Sequence, residues 1–189
     1  MAQSQSTKQA LALALKQLME KKPLKKITVG DICDLSGMSR KGFYYHFHDK
    51  YDLANWIFYS EFLKPASQRD YSDPLDFFRD ICEYFYENRA FYIRAFQDEG
   101  QNSFSSYFTE LLQPVLQKRL EQEFEEYEYA HFYSVFFTDA FRTAIIRWLR
   151  ENASIKPDEF IWLLRRIPRS LEQDIPRRNP EQKNNRRPN

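Results

Sequence analysis

Ser39, Arg40, Lys41, Tyr44, Tyr45 and His46 fall within the eight residues SRKGFYYH. Hydroxyls, phenols, an imidazole and two cations on two turns of helix can grip phosphates and reach base edges. Such a helix, entered through the turn Ser36-Gly37-Met38, has the size and chemistry to enter the major groove of duplex DNA. Arg40 is the candidate for base reading, since a guanidinium bonds guanine bidentately and discriminates by roughly 1–3 kcal/mol. Ser39 and Lys41 sit beside it at the start of the helix. Thr28, Tyr45 and Lys50 are assigned to phosphates, where a hydroxyl, a phenol and an ammonium donate without reading sequence. His46 either joins them or braces the helix, and Tyr44 is placed on the phosphate side. Phe43 and Phe47, four apart, are read as the packing face of the same helix.

Other chemistries fit poorly. His46 and His48 are two apart and do not share a helix face, and His131 is far away in sequence, so no metal set forms. There is no nucleophile elbow, phosphate loop or zinc-protease signature, so no catalytic residue, metal or cofactor is assigned and an enzyme is not expected. The acidic run EQEFEEYEYA (121–130) is read as a solvated face.

Charge is partitioned along the chain. Residues 1–50 carry nine Lys/Arg against four Asp/Glu, residues 51–175 carry 14 against 22, and residues 176–189 carry five against one. A basic head on an acidic body implies that the head alone meets a polyanion. Hydrophobic residues at 42%, aromatics at 17% and only four glycines predict a well-filled helical core. Cys33 and Cys82 lie in apolar stretches and are read as buried thiols of a reducing compartment. With no leader pattern and no 18-residue apolar run, the chain reads as a cytoplasmic protein with no membrane partner.

The elements that must position the reading residues follow from periodicity. Residues 6–21 carry a stripe of Ala10, Leu11, Ala14, Leu15 and Leu18. Thr28 and Asp31 form a capping box, and the helix it opens buries Val29, Ile32, Cys33 and Leu35. Gly37 supplies a positive φ, and Ser39 caps the next helix. Asp49 and Asp52 make a second capping box, opening a helix that Pro65 ends. Further helices are predicted over 74–88, 89–97, 104–126 with a kink at Pro114, 129–151, and from Pro157 onward. The segment after Pro176 has no apolar periodicity and is predicted to be disordered.

The residues Ile27-Thr28-Val29, Asp31-Ile32, Gly37-Met38-Ser39, Phe43-Tyr44, His46-Phe47, Lys50 and Leu53 resemble the DNA-binding domain of the TetR/AcrR family of bacterial transcription regulators. FYYHFHDKYDLANWI and EGQNSFSSYF are similar to a branch linked to dihydroxyacetone kinase. The chain departs from the family at Lys41 and Gly42, where a small residue and then a threonine-like one are usual. Lys41 adds a cation for phosphate or guanine. Gly42 costs its helix roughly 1 kcal/mol but permits close approach to the sugar-phosphate backbone.

The resemblance implies an all-α protein. Residues 1–65 are expected to form a three-helix helix-turn-helix domain, joined by a long helix to a helical effector and dimerisation domain at 66–175, with a basic tail at 176–189. It implies a homodimer on a palindromic double-stranded DNA operator, acting as a repressor by family habit and controlled by a small-molecule effector or protein coregulator. Phe136, Phe141, Ile145, Trp148, Leu163, Leu164 and Ile167 are expected near the dimer seam. Phe78, Phe85, Tyr92, Phe96, Phe108 and Phe137 are candidates for an apolar ligand pocket. Two alternatives stand beside this: an activator working with a kinase-like protein coactivator, and a helical interaction module that does not read DNA.

Overall fold

The computed structural model describes residues 2–71, 73–98, 100, 102–122 and 126–174, the side chains of 2, 3, 74 and 167–174 excepted. Among these residues every regular element is helical. The tail expected to be disordered lies outside them.

The head is built by local signals. Helix α1 (Ala2–Met19) buries Leu11, Ala14 and Leu15. A short turn at Leu24–Lys26 buries Leu24 and leads into α2 (Val29–Ser36). The capping box forms as expected: Thr28 Oγ1 accepts from the Asp31 N–H at 3.1 Å, and the Asp31 carboxylate accepts from the Thr28 N–H at 2.8 Å. Gly37 ends α2 at φ 70°, which a side chain would resist. Ser39 caps α3 (Arg40–His46), whose Phe43 is fully buried. Leu35, expected in the core, is exposed on the last turn of α2.

Helix α4 (Lys50–Phe58) departs from expectation at both ends. Asp49 caps it through the N–H groups of Tyr51 and Asp52, each at 2.8 Å. The carboxylate of Asp52 reaches one residue further back than a capping box requires, to the His48 N–H at 2.9 Å. Pro65 does not end the helix. The chain widens over Tyr59–Leu63, where the Lys64 N–H bonds Tyr59 O five residues back, and stays helical through Lys64–Ala66. A widened turn gives the proline ring room beside the carbonyl it would otherwise strike.

The body comprises α5 (Pro74–Glu87), α6 (Arg89–Ala95), α7 (Phe104–Leu120), α8 (Tyr127–Arg150) and α9 (Pro157–Asp174). Helix α7 stops six residues short of the expected end, and α8 starts two residues early. Asp73 caps α5 through the Leu75 N–H at 2.8 Å, and Ser103 caps α7 through the Ser106 N–H at 3.2 Å. Helix α7 packs along α8, and α9 lies on α5. Phe58 at the end of α4 enters the body core, where its ring meets Phe85 at 5.5 Å and Phe104 at 5.4 Å between centroids. One apolar cluster therefore runs through both halves. No helix among the described residues is long and apolar enough to cross a membrane.

Candidate nucleic-acid interface and its regulatory body

The residues singled out for DNA come together on one end of the head. Ser39, Arg40 and Lys41 are exposed beside the α2–α3 turn, and Thr28 is exposed at the start of α2, toward which the Arg40 guanidinium reaches. Both hydroxyl oxygens are occupied as acceptors, Thr28 by the Asp31 N–H and Ser39 by the Gly42 N–H at 3.0 Å. Each keeps its O–H free to donate to a phosphate. Tyr44 and Tyr45 project from α3 with 59% and 82% of their surface exposed, a level that no packing role explains. His46 is half-buried, its ring edge-on to Tyr45 at 4.9 Å, so it braces the exposed phenol.

Two assigned residues have internal uses. The Lys50 ammonium donates to the carbonyls of Lys25 at 2.9 Å and Ile27 at 2.7 Å, which pins the start of α4 to the turn before α2. Burial pulls its pKa down, against the opposing field of Asp98 and Asp49. Two of its three N–H groups are thus spent within the protein, so a phosphate would receive the third. Gly42 leaves room for the cap: a Cβ there would stand 3.3 Å from Ser39 Oγ. That need is closer at hand than approach to DNA.

Sequence reasoning missed three contributors. Gly30, buried in α2, is where the Arg40 guanidinium comes to rest, since a Cβ at position 30 would lie 2.8 Å from Arg40 Nη2. Lys8 brings a cation from α1 over the rings of Phe47 and Trp56, at 5.4 and 5.7 Å from their centroids. Lys22 pairs with Asp31 at 2.8 Å and, with the Thr28 N–H, holds that carboxyl down at about 2. None of these contacts has a local sequence signature; the glycine inside α2 was the one visible hint.

The body residues divide differently from the expectation. Phe85, Tyr92, Phe96 and Phe108 are buried against one another and Phe104, with centroids as close as 4.5 Å for Phe85–Tyr92 and 4.8 Å for Phe96–Phe104. Phe78 is buried edge-on to Phe141 at 4.7 Å. These rings pack as core, and Phe96 also borders a cavity of about 380 Å³ beside Gly100 and α8. Phe137 is apart from them, exposed on α8 and stacked on Tyr133 at 6.1 Å.

Of the seam candidates, Phe136 and Leu163 are exposed and Leu164 is half-buried, and all three line an open apolar groove between α8 and α9. Phe141 and Ile145 face the core of the protomer instead. Trp148 lies on the groove's floor, 4% exposed, with its indole N–H on Ile155 O at 3.0 Å and its ring stacked on Phe160 at 4.8 Å. The side chain of Ile167 falls outside the described residues. Apolar residues lie on more than one face of α8, so one face closes the core while another stays open.

Head and body are tied by polar contacts as well as by the core. Glu61 accepts from Lys16 of α1 at 2.8 Å and from the Tyr84 hydroxyl of α5 at 2.9 Å. Tyr84 in turn meets the hydroxyl of the fully buried Tyr92 at 2.9 Å. Burial drives both phenols far above their usual range. The Arg94 guanidinium of α6 donates to Met19 O at the end of α1.

Comparisons with known proteins agree with this architecture. A family model described as "Bacterial regulatory proteins, tetR family" matches residues 7–56, and one described as "Transcriptional regulator C-terminal region" matches residues 72–169. The HTH-type dhaKLM operon transcriptional activator DhaS of Lactococcus lactis subsp. lactis (strain IL1403) is 30% identical over 97 residues, 51% of this chain and 52% of that protein. The match thus spans about half the length of that curated relative. A solved structure of a dihydroxyacetone kinase operon activator DhaS has a TM-score of 0.60 at 22% identity, covering 88% of this chain and 95% of that one. The structure of NalD, secondary repressor of the MexAB-OprM multidrug efflux pump in Pseudomonas aeruginosa, also reaches 0.60, at 20% identity and over 89% and 97% of the two chains. These structural likenesses show a shared fold, and the DhaS relatives match the branch that FYYHFHDKYDLANWI resembles. A helix-turn-helix head and a helical body, each matched by a family model, make this chain a member of the TetR family of transcription regulators.

Proposed function

We propose that the chain works as a homodimer on a two-fold symmetric DNA operator in the cytoplasm, with α3 of each protomer in the major groove. One observation carries this reading: Arg40, Lys41, Tyr44 and Tyr45 stand exposed together on a short, firmly capped helix. The open groove between α8 and α9 supports the pairing, because Phe132, Phe136, Trp162 and Leu163 leave a broad apolar surface that a monomer would rarely keep. A control signal acts on the body, from a ligand or a protein coregulator, and changes the spacing of the two heads. Repression is the sign that family habit favours. The printed activator role of the DhaS relative supports activation, with a kinase-like coactivator, as the second reading.

Genomic fragments captured by the purified chain would give the operator, and a salt series on it tests the contact. Neutralising about six phosphates gives a log–log slope of roughly −5. A flat response, or unchanged affinity after Arg40→Ala with Lys41→Ala, overturns the DNA-reading function and favours an interaction module. A reporter behind the operator then fixes the sign: deleting the regulator raises expression under repression and lowers it under activation.

A further inference from the structure

We infer that the loop before α7 forms, with α8, a binding site for a small phosphorylated molecule. A pocket of about 380 Å³ opens there, lined by Gly100, Ser105, Ser106, Arg142, Thr143 and Arg150 among others. The body as a whole is acidic, yet no carboxylate appears among the described lining residues of this pocket. Arg142 and Arg150 are eight residues apart on α8, a little over two turns, which sets both guanidiniums on one side of the helix.

The donors are incompletely used. Arg142 Nη1 donates to Ser105 Oγ at 3.1 Å, and Nη2 reaches Asp139 at 3.3 Å, long for a charge-assisted bond. Its Nε is fully buried with no acceptor, which a native structure rarely leaves without a reason. Arg150 is exposed and makes no ion pair among the described residues. The positive end of the 17-residue α7 opens beside them. The Ser106 hydroxyl already donates to Gly100 O at 2.9 Å, but two guanidiniums, the Ser105 hydroxyl and a helix start still offer more donors than the two oxygens of a carboxylate can take. A phosphoryl group, with three acceptor oxygens and close to two negative charges, matches them.

The location gives the site a regulatory meaning. The same loop carries Asp98, whose charge lies close enough to act on Lys50 and Tyr51, both on the head. A ligand bound beside this loop therefore acts where body meets head. That meaning rests on the DNA-reading proposal, whereas binding itself is measured without DNA.

The test is calorimetric titration and thermal unfolding of the full chain with inorganic phosphate, glycerol 3-phosphate and acetate at matched ionic strength. Saturable binding of one or both phosphates and none of acetate is expected, and the stronger of the two shows whether the free ion or an ester is preferred. Arg150→Gln and Arg142→Gln should each weaken it about tenfold or more, as loss of one charged partner does. Arg150→Gln is a surface change and keeps the test readable if Arg142→Gln folds poorly. Equal binding of acetate, no saturable binding, or wild-type affinity in Arg150→Gln overturns the site. With the operator in hand, the bound phosphate should change DNA affinity about fivefold or more. Phosphate binding with unchanged DNA affinity overturns the effector role alone, and absence of any operator leaves the binding result standing.

Discussion

The guanidinium of Arg40 lies against the bare backbone of Gly30, so that α2 holds the residue of α3 that we propose reads bases. Gly30→Ala puts a methyl 2.8 Å from Arg40 Nη2, and the flexible end of the arginine yields rather than the backbone. Stability should hold or rise by up to about 1 kcal/mol, since alanine suits a helix interior better than glycine. Operator affinity should fall several-fold, because the displaced arginine must be ordered anew on binding. Urea unfolding with operator titration checks both, and unchanged affinity would show that the resting place is irrelevant to reading.

Acid should loosen the head through Asp31. The Lys22 ammonium first, and the Thr28 N–H next, hold its carboxyl at about 2, below the ordinary carboxylate value. A folded pKa below the unfolded one means the stabilisation is complete above about pH 4 and drains away as pH falls through about 2. The stability gap between wild type and Asp31→Asn should therefore close across that window. A gap that stays constant with pH would mean the carboxylate's charge is not what steadies α2.

The two faces of α8 should respond in opposite ways. Phe136 is exposed, so Phe136→Glu should leave helical content intact while shifting sedimentation from dimer to monomer and abolishing tight operator binding. Phe141 is buried against Phe78, so Phe141→Ala should cost about 3–5 kcal/mol in unfolding. A dimer that survives Phe136→Glu would exclude this groove as the seam.

Tyr84→Phe should cost about 1–3 kcal/mol, because it leaves the buried Tyr92 hydroxyl without its partner. Replacing both tyrosines by phenylalanine should recover part of that loss, since no orphaned hydroxyl remains. Urea midpoints for the two singles and the double give the coupling directly.

Much of the head was legible because its signals are local. The Thr28–Asp31 box, the positive φ at Gly37 and the Ser39 cap each depend on neighbours within four residues. Contacts that close over longer spans were not. Lys50 binds carbonyls 23 and 25 residues upstream, and the Arg40–Gly30 contact joins two helices. In the body, periodicity found α8 but could not say which of its apolar sides closes the core, so Phe141 and Ile145 were placed with Phe136. Aromatic richness likewise does not distinguish a lined cavity from rings that fill one another's space, as Phe85, Tyr92 and Phe108 do.

The widened turn at Tyr59–Leu63 makes the long helix behave as a gear with one tooth too many. Each residue turns a helix by about 100°, so deleting one from this stretch would swing everything after it by that angle relative to the head. Leu53 and Ile57 would keep their places while Phe62 and Ala66 rotated out of the core. The alignment of body to head is thus counted in residues along a single axle, and relatives that gain or lose one there must re-cut the surfaces on either side.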